Sequence, residues 1–182
     1  DLRRSRGLGD VYKRQVNIAG ATIYPSLEGT RPILVEVQAL VTNANYGNPQ
    51  RNVNGFDFKR LGMLIAVLEK RMGLAMGTKD VYANLVGGLK VDDPAADLSI
   101  ICSIASSTMD KPIGDNIILC GEVGLAGEIR SINRLEQRLN EAATLGFKKA
   151  IIPKSNLNDR IKKINMQIHA AQSVKDAFKA LF

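Results

Sequence analysis

From residue 33 the chain alternates. Ile33, Val35, Val37 and Ala39 fall on one parity and Leu34, Glu36, Gln38 and Leu40 on the other, the period-two signature of a strand spanning about 33–41, entered from a turn at Glu28-Gly29-Thr30. The second set is mixed in polarity, so one face is expected to be only partly covered. Residues 43–55, "NANYGNPQRNVNG", lose all periodicity and read as an irregular loop of a length that is often functional. The period then changes to that of a helix: Phe58, Leu61, Ile65, Leu68 and Met72 recur at three- and four-residue steps and make a core face that Gly73 ends.

"DVYANLVGGLKV" predicts a second strand, interrupted at Gly87-Gly88 by a bulge or a close backbone approach. "PAADLSIICSIASSTMD" predicts a buried helix that starts near Pro94. "NIILCGEVGLAGEIR" predicts a short apolar strand, a Gly-rich turn and a return strand ending at Arg130. In "NRLEQRLNEAATLGF", Asn133 and Glu136 have the spacing of a capping box and Gly146 is a stop signal. "KAIIP" reads as a last core strand and "QSVKDAFKALF" as a terminal helix. Strands and helices alternate along one chain, which predicts an α/β or α+β fold with helices packed on a mixed sheet.

Composition narrows the picture. The 182 residues are 45% apolar, enough for one domain with a proper core. Cys102 and Cys120 belong to no C-x-x-C pair and read as reduced core thiols of a cytoplasmic protein. Neither a bilayer-length apolar run nor a signal-peptide layout is present. The net charge is +7, of which the first fifteen residues, "DLRRSRGLGDVYKRQ", supply +3. That segment has no period, and its "DVYKRQ" coincides with the translated end of a transposase-type sequencing adapter; it is set aside, and residues 16–182 are taken as the domain. The remaining +4 permits an anionic partner without demanding one.

Most familiar chemistries lack their residues. No P-loop is found. The single histidine, His169, lies in "MQIHAA" and reads as a strand residue, which leaves no Ser-His-Asp or Cys-His site. The glycines of "CGEVGLAGE" precede "IRSI" and not a helix, so they mark a hairpin turn and no dinucleotide fingerprint. Asp92, Asp93 and Asp97 read as a turn and helix start, with carboxylates favourable at the helix N-terminus, in preference to a metal site. No metal or cofactor is expected in this chain.

Four blocks bring a family into view: "PSLEGTRPILVEVQALV", "LIAVLEKRMGL", "VGGLKVDDPAADLSI" and "GEVGLAGEIRSINRLEQRLNEAATLGFKKAIIPKSN". Together, from Ala19 to Val174, they resemble the C-terminal domain of the bacterial RadA (Sms) DNA repair proteins, itself similar to the proteolytic domain of Lon proteases. The resemblance implies the two-layer fold of the ribosomal-protein type. Lon enzymes use a Ser-Lys dyad, the Ser in a G-P-S-A-G segment and the Lys in G-G-L-K. Here the first segment reads Asp93-Pro94-Ala95-Ala96-Asp97 and the second Asn133-Arg134-Leu135-Glu136, so Ala95 and Glu136 stand at the dyad positions. A methyl group cannot attack a carbonyl, and no peptidase activity is expected. Ser99, Ser106 and Ser107 remain as conceivable nucleophiles and Lys90 as a base, but Ser99 is expected to return its hydroxyl to its own helix backbone.

By the same resemblance, the parent would process branched DNA during recombinational repair together with the RecA recombinase. It would form hexameric rings and hold ATP, Mg and Zn in an ATPase and a zinc finger that this chain does not contain. The residues themselves supply a candidate DNA surface. Lys59 and Lys70, and likewise Arg60 and Arg71, lie eleven residues apart and form two neighbouring rows on one helix. Arg51, Arg130, Arg134 and Arg138 are expected to join them, with Arg134 and Arg138 sharing a face at i and i+4. Such cations track phosphates without reading sequence. Tyr46, Phe56 and Phe58 are the nearest aromatics, and with Phe58 assigned to the core, stacking on unpaired bases has little support. A purely structural role in assembly and a cryptic serine hydrolase are the competing readings.

Overall fold

The computed structural model describes residues 18–182; the fifteen leading residues set aside above lie outside the described residues. Nine strands and five helices follow one another. β1 is Ala21–Glu28, β2 Arg31–Asn43, β3 Arg51–Asn54 and α1 Phe58–Met72; β4 is Lys79–Leu85, and a 3-10 turn, Pro94–Ala96, leads into α2, Asp97–Met109. β5 is Ile117–Leu119, β6 Glu122–Val123, β7 Ile129–Arg130, α3 Leu135–Thr144 and β8 Lys149–Pro153. α4 is Asp159–Lys162, β9 Gln167–Ala171 and α5 Val174–Leu181.

Seven strands form one mixed sheet in the order β3-β4-β2-β1-β5-β8-β9, and β6 pairs with β7 in a separate hairpin. β2 is antiparallel to both its neighbours, β1 and β4, while β3 runs parallel to β4, and β5, β8 and β9 continue in parallel from β1. This is the α/β fold that the alternation of elements predicts.

One sheet face is the floor of the core. Val35, Val37 and Ala39 of β2 and Val81, Ala83 and Leu85 of β4 are buried there with Leu61, Leu64 and Leu68 of α1 and Leu98, Ile101 and Ile104 of α2. α2 is tied directly to that face: the Thr22 hydroxyl donates to the Ser99 carbonyl at 2.8 Å, and the Val41 amide donates to the Ser107 hydroxyl at 2.9 Å. Gly20 is required where the chain enters β1, because its φ is +97° and a Cβ would stand 2.2 Å from the Ala39 carbonyl oxygen.

The structure departs from the sequence reading at four places. β1 was not anticipated, because the positions it turns inward are Thr22, Tyr24 and Ser26, all buried, so its polarity pattern is inverted. The segment read as an irregular loop over 43–55 contains β3. α3 has no capping box: its N-cap is Arg134, in the left-handed region at φ 56°, without a side-chain cap bond. Phe58, assigned to the core face, is 56% exposed, since the N-cap Asp57 accepts from the Lys59 amide and leaves Phe58 in the first turn beyond the core. The rest of α1 is as read, with Gly73 in the left-handed region as its C-cap. No helix among the described residues is long and apolar enough to cross a membrane.

Candidate functional site

The Pro94–Ala96 turn is held from every side. Asp93 is extended and its side chain accepts from the Ala95 amide at 3.0 Å, which caps the turn. The Gly121 amide donates to the Ala95 carbonyl at 2.9 Å, and the Gly121 carbonyl accepts from the Leu98 amide at 3.1 Å. Only glycine fits at 121, because a Cβ there would come 2.7 Å from Cγ2 of Ile129. The Ala95 methyl is therefore fixed in a buried position, 1% exposed.

Two ion pairs flank it. On one side the Arg138 guanidinium, buried, reaches Asp93 Oδ2 at 2.8 Å and donates from Nη1 to the Tyr24 hydroxyl at 3.0 Å and the Pro25 carbonyl at 2.9 Å. Its Nε donates to the Asn133 carbonyl at 3.0 Å, and the Tyr24 hydroxyl donates to Asp93. Burial opposes a charge on Asp93, but the Tyr24 hydroxyl, the Ala95 amide and Arg138 outweigh it and hold the carboxyl below its ordinary value. Burial, reinforced by Asp93, pushes the Tyr24 phenol far up, so it stays a donor.

On the other side Arg60 grips Asp97 with two bonds, Nε to Oδ1 at 2.5 Å and Nη2 to Oδ2, and the Val123 amide donates to Asp97 Oδ2 at 3.0 Å. Burial pushes the Asp97 carboxyl up against these partners, while the bond to Asp97 raises Arg60. Asp93 and Asp97 thus each face a cation of their own. Among the described residues no group of three or more His, Cys, Asp or Glu side chains is placed to hold a metal ion.

Glu136 does not join this site. It lies two positions before Arg138, a rotation of about 200° on a helix, so when Arg138 faces Asp93 the Glu136 side chain faces out. It is about half exposed, with Arg160 at 3.9 Å. The cation that approaches the Ala95 turn is Arg138, and the side-chain periodicity of α3 could have revealed this: Leu135, Arg138, Leu139 and Ala142 share its buried face.

The hydroxyls are all employed. Ser99 is fully buried and donates to the Leu119 carbonyl at 2.6 Å, across to the sheet and not back to its own helix as expected. Ser106 donates to the Lys111 carbonyl at 2.5 Å and accepts from the Gly20 amide, and Ser107 accepts from Val41. Lys90 is exposed in the segment after β4, and His169 is exposed on β9. The two thiols are free and buried, and burial pushes the Cys120 thiol up to about 12.

The predicted cations separate into three groups. α1 and the β6–β7 hairpin are packed together: Arg71 Nε donates to the Leu125 carbonyl at 3.3 Å, and Arg60 Nη2 stands 3.9 Å from Glu122, which is paired in register with Arg130. This brings Lys59, Arg60, Lys70, Arg71 and Arg130 to one side of the domain. Lys59, Lys70, Arg71 and Arg134 are exposed and make no ion pair among the described residues, whereas Arg130 is engaged by Glu128 at 2.9 Å. Arg51 stands apart, its Nη2 donating to the Met76 carbonyl at 2.8 Å. Arg138 is a correction: it is 2% exposed and saturated by Asp93, Tyr24, Pro25 and Asn133, so it cannot meet a phosphate. It also shares no face with Arg134, which is the exposed cap before the helix.

A mixed sheet with a Pro-initiated helix start beside a Gly-Glu hairpin frames the Ala95 turn. The family of the Lon protease (S16) C-terminal proteolytic domain matches residues 77–182, and the chain belongs to that family. Within it, the chain is similar to proteins named DNA repair protein RadA. That of Bacillus subtilis is 47% identical over 92% of this chain and 36% of its own length. That of Streptococcus pneumoniae is 46% identical over 90% of this chain and 39% of its own length, and that of Listeria monocytogenes 45% identical over 92% and 36%. The chain spans little more than a third of the length of the curated relatives it matches.

Proposed function

We propose that this domain is a proteolytically silent Lon-type module of a RadA-type DNA repair protein. It supplies DNA-backbone contacts and ring contacts to an ATP-dependent motor that acts on branched recombination intermediates in the cytoplasm, in concert with the RecA recombinase. ATP, Mg and Zn belong, on this reading, to the motor and finger portions of such a protein and not to this domain. The observation that carries the proposal is the pairing of a methyl group at position 95 with four exposed cations that make no ion pair among the described residues, Lys59, Lys70 and Arg71 on α1 and Arg134 before α3. Free exposed cations attract phosphate because nothing on the protein already neutralises them.

The test is a triple variant, Lys59→Glu/Lys70→Glu/Arg71→Glu, which spares every buried pair. Duplex affinity at low salt is expected to fall at least about ten-fold, and the slope of log K against log salt to shrink by about 3, one unit per lost phosphate contact. Unchanged affinity would refute the DNA role, and loss of the assembled ring without loss of DNA retention would favour a purely structural domain.

Silence toward peptides has its own test. Ala95→Ser combined with Glu136→Lys rebuilds the dyad on paper, yet the new lysine would project outward with Glu136's present direction, more than half a helical turn from Asp93. No cleavage of casein and no labelling by an activated serine probe is expected from this variant or from the native chain. Labelling of the native chain that vanishes in Ser99→Ala would instead establish a cryptic hydrolase.

A further inference from the structure

The sheet face opposite the helices carries a feature that the sequence, read as strands one at a time, does not display. Register alignment places two cross-strand rungs side by side. The first is Asn52-Tyr82-Leu40, from β3, β4 and β2; the second is Asn54-Asn84-Gln38-Ala21, which extends to β1. Adjacent strands lie about 4.8 Å apart and residues i and i+2 about 6.6 Å. The two rungs therefore make a compact patch with an amide row beside an aromatic and aliphatic row.

These side chains, with Ile18 and Ala19 at the rim, line an open cleft of about 560 Å³, within the size range of small-molecule sites. Leu40 is 61% and Tyr82 39% exposed. The Gln38 amide lines the cleft and donates from Nε2 to Glu36 Oε1 at 3.1 Å, so its carbonyl oxygen is the acceptor it has left. Asn84 Oδ1 is buried and has no hydrogen-bond partner among the described residues, an arrangement that costs free energy unless something supplies a donor.

None of the lining residues among the described residues is charged, so they offer a free phosphate or carboxylate no cation. The backbone of β2 and β4 at its floor is already paired on both edges, which disfavours an added peptide strand there. What remains is a flat, neutral ring bearing adjacent donors and acceptors. Asparagine and glutamine amides meet adenine's amino group and ring nitrogen with two bonds, and an exposed tyrosine offers a stacking face.

We propose that this cleft is a binding site for an unpaired nucleobase, adenine by its donor and acceptor pattern, with Asn84, Asn54 and Gln38 reading the base edge and Tyr82 stacking on the ring. The site is on the face opposite α1 and α2 and does not depend on the phosphate-binding surface proposed above.

The experiment compares binding of the 182-residue chain to a labelled 12-nucleotide oligo-dA, to an abasic oligomer with the same phosphates, and to free adenosine. The oligo-dA is expected to bind about ten-fold more tightly than the abasic strand. Tyr82→Leu and Asn84→Leu, both suited to a strand, are each expected to abolish that difference while leaving abasic binding unchanged. Adenosine that binds alone and competes with oligo-dA supports the site with a free nucleoside as its source; oligo-dA preference without adenosine binding supports it with a single strand as its source.

Equal affinity for the two oligomers overturns the proposal, as does a change in sedimentation of the two variants in place of a change in base preference, which would make the face a contact between copies. Should a variant not fold, the side-chain amide resonances of the native chain decide. Shifts at Asn52, Asn54, Asn84 and Gln38 on adding oligo-dA support the site, and shifts confined to other residues overturn it. Because abasic binding reports phosphate contacts alone, failure here leaves the DNA-backbone reading standing, and failure there leaves this one.

Discussion

Replacing Arg138 by alanine is expected to lower stability by about 3–5 kcal/mol, the range for removing one partner of a buried ion pair, seen as a fall of roughly 6–20 °C in the unfolding midpoint for a chain of this size. Three losses act together. Asp93 keeps its charge but loses the guanidinium 2.8 Å away. The Pro25 carbonyl and the Tyr24 hydroxyl lose donors at 2.9 and 3.0 Å, and the space vacated by the side chain lies against the Tyr24 ring, 5.9 Å from the guanidinium carbon to the centroid. Arg138→Lys is expected to recover only part of the loss, because a lysine presents one charged group where the arginine fork serves Asp93, Tyr24, Pro25 and Asn133 at once. Calorimetry on both variants checks this; a midpoint within about 2 °C of the native value for Arg138→Ala would show that the cluster contributes little. The same variant bears on the proposed DNA surface, from which Arg138 is excluded by burial: any loss of DNA affinity in it should track the unfolded fraction.

How legible all this was in the sequence depended on whether a position obeyed the polarity rule. α1, α2, β2, β4, β8 and the β6–β7 hairpin were readable because most of their buried positions are apolar and their ends carry glycine or proline, even though α2 also buries Asp97, Ser99, Ser103 and Ser106. β1 was not, because Thr22, Tyr24 and Ser26 turn inward to serve α2 and Arg138, and a polar inward set looks like a loop. β3 was hidden for a related reason: Asn52 and Asn54 face out into the cleft, and four residues with a single apolar one give no period. At the site, the Pro-led turn that holds Ala95 was legible in the sequence, because Pro94 and the Asp93 cap mark it. Which of two nearby α3 residues faces that turn could not be read from spacing alone. Arg138 was counted among surface cations because arginine is rarely buried without a partner, and its partner, Asp93, is 45 positions away in the chain.

Arg60 presents the opposite problem, because it belongs by sequence to the basic rows and by structure to the core. Arg60→Met is expected to destabilise the fold by about 2–4 kcal/mol, toward the low side of the range for broken buried pairs because Arg60 retains some contact with water. The Asp97 side chain is 1% exposed and would keep only the Val123 amide. Burial already pushes this carboxyl above its ordinary value, and removing the guanidinium takes away the main opposing influence. In the variant the folded state therefore binds a proton that the unfolded chain releases, so the destabilisation should shrink as the pH falls from about 8 toward 5, the reverse of ordinary acid denaturation. Adding Asp97→Leu removes the stranded charge and should return much of the stability and flatten the pH dependence. Denaturant unfolding at both pH values checks each step, and a pH-independent loss in Arg60→Met would contradict the assignment of Asp97 as its cause. The consequence for testing the proposed DNA role is practical: a charge-reversal set that includes Arg60 would disturb the Ala95 turn as well as the surface, so Lys59, Lys70, Arg71 and Arg134 are the positions that test it cleanly.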